Sequence, residues 1–298
     1  MDKASEDAPD APASVNLEAA SAARIYDAYL GGTTNWAVDR AFAEQAVKQF
    51  PLIKPLARAN RRFLGRVVHA ALDRGITQFL DLGSGVPTAG NVHEAVAAHE
   101  RTVGGKVVYV DYEPVAVAHA EHILAQQDVL SWAGIVRADL REPKVVLGDR
   151  TTVRLLDFSL PVCVLMVSVL HFVGGETDVA ALVGRYRERL APGSWLGLSH
   201  ICNDDSEPDG AAQLARLAAQ YSTTQNPAFL RTRAEVEPWF DGLAVLSPGI
   251  VHLADWRPDD EITAAEKEAG PFMWCGVGEV PGQRSDAAGV HRPQRTGP

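Results

Sequence analysis

From Leu17 to Leu72 the apolar residues recur at three- and four-residue spacing, so the chain opens on helices. Asn16 stands where it would cap the first, and Gly31-Gly32 would end it. Pro51 and Pro55 separate a second helix from a long third that stops near Gly75. The period then changes. Short apolar runs at Ile76–Leu82, Lys106–Asp111, Gly134–Arg137, Val162–Leu170 and Trp195–His200 alternate with helical patterns, one from Thr88 to His99 and one opened by Pro114. Such alternation calls for right-handed crossovers, a parallel sheet and helices on both its faces. In the helix before the fifth run, Val179, Leu182, Val183, Tyr186 and Leu190 share a face, Arg185, Arg187 and Glu188 fall between them, and Pro192-Gly193 stops it. Thr232 to Glu235 has capping-box spacing, and Leu243–Leu246 and Phe272–Val277 supply two last strands. No segment repeats another.

Composition narrows the class. A chain of 298 residues, 46% hydrophobic, can bury a full core. The division it suggests is a helical cover at 16–75 and an α/β domain at 76–280, with disordered ends at 1–15 and 281–298, where Gly, Pro and charge replace aliphatic periodicity. A net charge of −10 repels nucleic-acid phosphates and anionic membranes, and no basic stripe offsets it, so neither is an expected partner. The first fifteen residues lack the apolar run of a signal peptide, and no stretch approaches the roughly 18 apolar residues of a membrane span, which suggests a cytoplasmic protein. Cys163, Cys202 and Cys275 have no metal-ligand spacing and read as reduced and structural. His119 and His122 have no third ligand nearby, so no metal is expected. Oligomeric state is left open, a homodimer included.

The candidate chemistry lies at the strand ends. Phe79-Leu-Asp-Leu-Gly-Ser-Gly85 is an apolar strand that reaches an acid, Asp81, and turns through Gly83, Ser84 and Gly85 into a helix, where glycine lets a ligand approach the backbone. About thirty residues on, Val107–Asp111 is a second buried strand tipped by a carboxylate, the group that accepts hydrogen bonds from ribose hydroxyls. Taken alone, such glycines can also serve only to pack a helix. A third acid, Asp139, follows the third strand, and three acids along one edge suit a ligand that offers an amino-acid moiety, a ribose and an adenine in turn. S-adenosylmethionine carries all three. A dinucleotide dehydrogenase would want a glycine or alanine where Thr88 stands, and there is no Walker Gly-Lys-Ser/Thr.

Several blocks carry a resemblance. Arg24-Ile-Tyr-Asp-Ala-Tyr-Leu-Gly-Gly-Thr-Thr-Asn35, Ala59-Asn-Arg-Arg-Phe-Leu64, Asp81 to Glu94, Val110 to Pro114, Ala138 to Arg141 and Val169-Leu-His-Phe172 closely resemble the bacterial S-adenosyl methyltransferase family long catalogued as of unknown function. The likeness runs from Leu17 to Val277, and Pro87, unusual in methyltransferases at large, is normal in this family. It implies a Rossmann-like class I α/β fold, a seven-strand, mostly parallel sheet with a reversed last strand under an N-terminal helical cover. It also implies Asp81, Gly83, Ser84 and Gly85 near the methionine portion, Asp111 with Tyr112 on the ribose, Asp139 with Leu140 at the adenine, and Ser168 and Asn35 in the same site. Members of secondary metabolism methylate small natural products, among them, in proteins similar to this one, the indole C3 of tryptophan-derived compounds.

Methyl transfer from a sulfonium needs alignment more than acid–base help, and a base only where the acceptor must lose a proton to attack. His171 and His200, at the ends of neighbouring strands, are the candidates for such a base, the plain alternative being that each only bonds a loop. Tyr26 and Tyr29 are candidate catalytic residues from the cover. With Trp36 they offer aromatic faces to a planar acceptor and a cationic sulfonium, although helix packing also explains them. Asp204 and Tyr221 are further candidates to hold a small-molecule acceptor. A non-catalytic S-adenosylmethionine-binding regulator and an NAD(P)-dependent oxidoreductase are the competing readings.

Overall fold

The computed structural model describes residues 16, 18–87, 90–99 and 104–282. The ends expected to be disordered lie outside these residues, apart from 281 and 282, and so does Thr88. Three helices come first: α1 Ala22–Leu30, α2 Ala37–Gln49 and α3 Ile53–Asp73. The first starts later than the sequence suggests. Its cap is Ser21, while the Asn16 side chain accepts from the Glu18 amide in a local turn. Gly31 closes α1 at φ 82°, a left-handed conformation that glycine adopts without strain. Pro55 sits in the first turn of α3, where a missing N–H is harmless.

Strands and helices then alternate as β1 Gln78–Leu82, α4 Val92–Ala98, β2 Lys106–Asp111, α5 Pro114–Gln126, β3 Ala133–Arg137, α6 Pro143–Gly148, α7 Arg150–Leu155 and β4 Val162–Val167. The chain continues through α8 Val179–Arg187, β5 Trp195–Ile201, α9 Pro208–Gln220, α10 Arg233–Val236, β6 Ala244–Val245, β7 Val251–His252, α11 Ala264–Ala269 and β8 Met273–Glu279. The helix after β1 begins at Val92, because Asn91 and Glu94 form a capping box there. The sheet runs β3-β2-β1-β4-β5-β8-β6, parallel as far as β5, with β8 antiparallel to it.

Among the described residues the sheet has eight strands where seven are expected, because the edge is split. β6 and β7 both pair with β8, at Val245↔Gly278 and Val251↔Cys275, on either side of a break at Pro248 and Gly249. Proline cannot donate to a ladder, so an edge strand is where such a break is tolerated.

The central strands β1, β2, β4 and β5 are buried on both faces, and parity decides which core each residue joins. Phe79, Val107, Tyr109, Cys163 and Leu165 pack in one core with Phe63, Leu64 and Val67 of α3. Leu80, Val108, Val110, Val164 and Met166 pack in the other with Leu182, Val183 and Tyr186 of α8. The first three helices thus cover one face of the sheet; Tyr26 ties α1 to α3, and Arg24 pins α1 to α2 and to the start of α5. Its fully buried guanidinium meets Asp39 at 3.0 Å, stands 3.6 Å from Glu113 and donates to the Ala19 carbonyl. No helix among the described residues is long and apolar enough to cross a membrane.

Candidate active site

A cavity of about 1360 Å³, its mouth included, opens between the helical cover and the carboxyl ends of the strands. One half is polar and stands over β1 and β2. Asp81, Gly83, Ser84, Gly85, Asp111, Tyr112 and Glu113 line it, with Asn60 and Arg61 from α3.

The turn after β1 is held to β2, since the Gly83 and Ser84 amides both donate to the Val110 carbonyl, at 2.8 and 3.1 Å. Asp111 is locked in the same way: one oxygen accepts from the Gly85 amide at 2.8 Å and the other from the Glu113 amide at 2.9 Å. The two glycines do different work. A side chain at Gly83 would strike Val169, its Cβ landing 2.1 Å from Cγ2, so packing requires that glycine. At Gly85, where φ is 66°, a Cβ would meet nothing within 4 Å. There the Cβ position itself is open space that a ligand could fill.

Asp81 and Asp111 share strand parity and face the cover together. Burial pushes Asp81 up to about 7, against the pull of Arg61 and with the repulsion of Asp111 added. Burial also raises Asp111, although backbone amides hold its charged form. Burial thus disfavours the charged form of both carboxylates. Among the described residues Ser84 Oγ and His171 Nδ1 are buried with no protein partner, and both residues belong to the cavity wall. This is a donor and acceptor set that fits a ligand bearing an ammonium, hydroxyls and a ring system.

Asp139 departs from expectation. Its neighbours Ala138 and Leu140 line the cavity, whereas its own carboxylate is turned aside and held by the Arg141 guanidinium at 2.9 and 3.0 Å. Despite partial burial those bonds keep it below the ordinary carboxylate range.

The other half of the cavity is apolar and stands over β4, β5 and β8. Ile53, Leu56, Phe172, Ile201, Leu214 and Met273 belong to it, together with Tyr29, Tyr221 and His171. Ser168, also on the wall, adopts φ 58° and donates its amide to Ser199 Oγ at 2.9 Å. Ser199 Oγ in turn donates to Asn60 Oδ1 at 2.6 Å, Asn60 Nδ2 donates to Tyr26 Oη at 3.0 Å, and Tyr26 donates to the Ala57 carbonyl at 3.0 Å. This relay spends the Tyr26 proton, and burial raises the phenol above its usual range, so Tyr26 is a wall and not a base. Burial likewise keeps Tyr29 protonated.

Several other expected residues do not reach the cavity. His200 lies on the opposite parity from Ser199 and Ile201, so it faces the second core, against Trp239. Arg231 donates to its Nε2 at 2.9 Å, so Nδ1 carries the proton and donates to the Ile201 carbonyl at 2.7 Å. No ring nitrogen is left for an acceptor. Asn35 donates to Asp27 and to the Gly32 carbonyl, at 2.7 and 2.8 Å. Trp36 lies beneath the Arg24 guanidinium, 5.4 Å from ring centroid to charge, packed with Val86 and Val115. Asp204 accepts from the Trp274 indole and from the Arg233 amide, at 2.9 and 2.8 Å. Each of the three is consumed by structure.

His171 does line the cavity, but burial and the Arg231 charge push it down to about 3. It is a neutral hydrogen-bonding group at physiological pH, and too weak to hold a proton it removes.

Sequence reasoning missed Glu113, Asn226, the α9 leucines and the roles of Asn60 and Arg61. Arg61 donates to Asn91 Oδ1 at 2.9 Å beside Asp81. Asn226 ties the cover to the rim, accepting from the Ala22 amide at 2.9 Å and donating to the Tyr112 hydroxyl. Strand parity could have found Ser199 and Ile201. Nothing local marks Asn226.

Comparison with known proteins places this arrangement. The chain matches a family model described as S-adenosyl methyltransferase over residues 8–281. A DUF574 family protein of Streptomyces avermitilis is 32% identical and superposes with a TM-score of 0.82, covering 89% of this chain and 99% of its own. A Thermobifida fusca protein is 34% identical with a TM-score of 0.79, covering 89% and 97%. A carboxy-S-adenosyl-L-methionine synthase of Pseudomonas fluorescens is 31% identical over 174 residues, which span 57% of this chain and 65% of that enzyme. These findings favour neither the regulator nor the oxidoreductase. The chain belongs to the S-adenosyl methyltransferase family, whose cofactor is S-adenosylmethionine.

Proposed function

We propose that this protein transfers the methyl group of S-adenosylmethionine, bound over β1 and β2, to a small electron-rich aromatic acceptor of indole type held over β4 and β5, in secondary metabolism. The observation that carries the reading is one cavity with two chemistries: a rim with two buried carboxylates on one strand parity, and an apolar lobe beyond it. When bound, the cofactor supplies a methyl on a sulfonium, a leaving group that needs no further activation.

The chain's own residues do the rest. Asp81 takes the ammonium, with Arg61 and the Ser84 hydroxyl beside it for the carboxylate. Asp111, its carboxylate fixed by two backbone amides, accepts from ribose hydroxyls, and Tyr112 borders them. Ala138 and Leu140 give the adenine an apolar seat, a role that replaces the acidic one expected of Asp139. The apolar wall excludes water from the approach of the nucleophile, and alignment in such a site is worth effective molarities on the order of 10⁵–10⁸ M. His171, neutral, holds the acceptor by a hydrogen bond. A π-nucleophile such as an indole carbon suits this lobe, because it attacks before it loses its proton. Incubating indoles, phenols and carboxylic acids with S-adenosylmethionine and reading mass gain tests the proposal: aromatics gain a methyl, and methylation of acids alone overturns the acceptor class.

A further inference from the structure

Tyr29 and Tyr221 stand 3.2 Å apart, hydroxyl to hydroxyl, on the wall of the apolar lobe. They come from α1 and from the turn after α9, 192 residues apart in sequence. Phe42 packs edge-on against the Tyr221 ring at 4.9 Å and Phe172 lies 5.7 Å from it, while Tyr29 is fully buried in the same core. Each phenol owns one proton. One proton bridges the two oxygens, and among the described residues neither oxygen has another partner. The pair therefore keeps one uncommitted proton in a lobe walled mainly by hydrocarbon, where His171 and Ser168 are the neighbouring polar groups.

We infer that the Tyr29–Tyr221 pair is a specificity element that donates its spare proton to one neutral hydrogen-bond acceptor atom, a carbonyl oxygen or its equivalent, on the molecule bound in the apolar lobe. The inference rests on the two-chemistry reading of the cavity, but concerns which acceptors it selects. The pair cannot serve as an anion or a base, since burial raises both phenols. A buried donor left without a partner is costly, so a ligand lacking the acceptor atom is discriminated against. The two tyrosines are also redundant. With either one changed to phenylalanine, the survivor loses its internal bond but still has a proton to offer.

The test uses the full chain saturated with S-adenosylhomocysteine and two neutral probes, 3-acetylindole and 3-ethylindole, read by calorimetry. Wild type is expected to bind the ketone about tenfold more tightly, the equivalent of ~1.4 kcal/mol. Tyr29→Phe and Tyr221→Phe retain most of that preference, and the double variant loses it while melting within a few degrees of wild type. The infrared carbonyl stretch of the bound ketone shifts down in wild type and both single variants, and returns in the double variant, a signature that packing alone does not produce. Equal affinity for both probes in wild type, or a preference that survives in the double variant, overturns the inference. Failure of both indoles to bind refutes the indole-type acceptor instead, and acetophenone against ethylbenzene then makes the same comparison for the tyrosines.

Discussion

Replacing Asp81 by asparagine should make the cofactor-free protein more stable at alkaline pH and a poorer binder. The side chain is 5% exposed, and burial lifts its ionisation from 3.8 to about 7. At ~1.36 kcal/mol per pH unit, that difference corresponds to about 4 kcal/mol. The sign follows from proton counts. Between pH 3.8 and about 7 the folded chain keeps a proton that the unfolded chain has released, so stability falls as pH rises through this window and levels off above it. Asparagine has nearly the same volume and no charge. Asp81→Asn should therefore match wild type near pH 4 and exceed it by about 2–4 kcal/mol at pH 8, the lower figure allowing for local relaxation. Urea unfolding of both proteins across that range, followed by circular dichroism, reads the gap directly. A gap independent of pH, or a variant less stable than wild type at pH 8, refutes the reasoning. A destabilising charge kept in a binding site is the trade of stability for function that such sites show.

Other outcomes follow from the same geometry. If ionised Asp81 takes the ammonium, S-adenosylmethionine affinity in wild type falls about tenfold per pH unit below about 7, and this limb is missing in Asp81→Asn; calorimetry at several pH values reads both. Gly83→Ala meets Val169 and a φ of 71°, and should cost more than ~2 kcal/mol in urea unfolding, whereas Gly85→Ala, at φ 66° in open space, should cost only ~1 kcal/mol yet weaken cofactor binding. Arg24→Met leaves the buried Asp39 carboxylate without its ion pair, and should cost about 3–5 kcal/mol, seen as a lower melting temperature. His171 should show no ionisation between pH 5 and 9 by histidine NMR, given a value near 3; a midpoint near 6.5 would restore it as a base.

What the sequence made legible was whatever local pattern decides. The runs at β1, β2 and β5 are apolar because both faces of the sheet are covered, and their bounds stand nearly where the pattern puts them. The Thr232–Glu235 capping box forms, and Asp81, Gly85 and Asp111 meet at the cavity as their positions at strand tips require. Tertiary contacts decided the remainder. Asn16 looks like a helix cap, but Arg24 draws the carbonyls of Asn16 and Ala19 to itself and keeps that stretch out of the helix. His200 looks like a catalytic histidine only until strand parity is counted. Asp139 has a suitable position in the sequence, but Arg141 two residues later captures it. The apolar lobe takes in Tyr221, which the sequence offers as a candidate, but also the α9 leucines, which no motif marks, and the edge strand splits around Pro248 and Gly249.

The central claim is that the rim of Asp81 and Asp111 holds S-adenosylmethionine. Titrating the cofactor into the full chain by calorimetry, beside Asp111→Ala, tests it most directly. Binding in the micromolar range by wild type, weakened at least tenfold in a folded Asp111→Ala, is the predicted result. No heat of binding in folded wild type, or equal affinity in the variant, would contradict it.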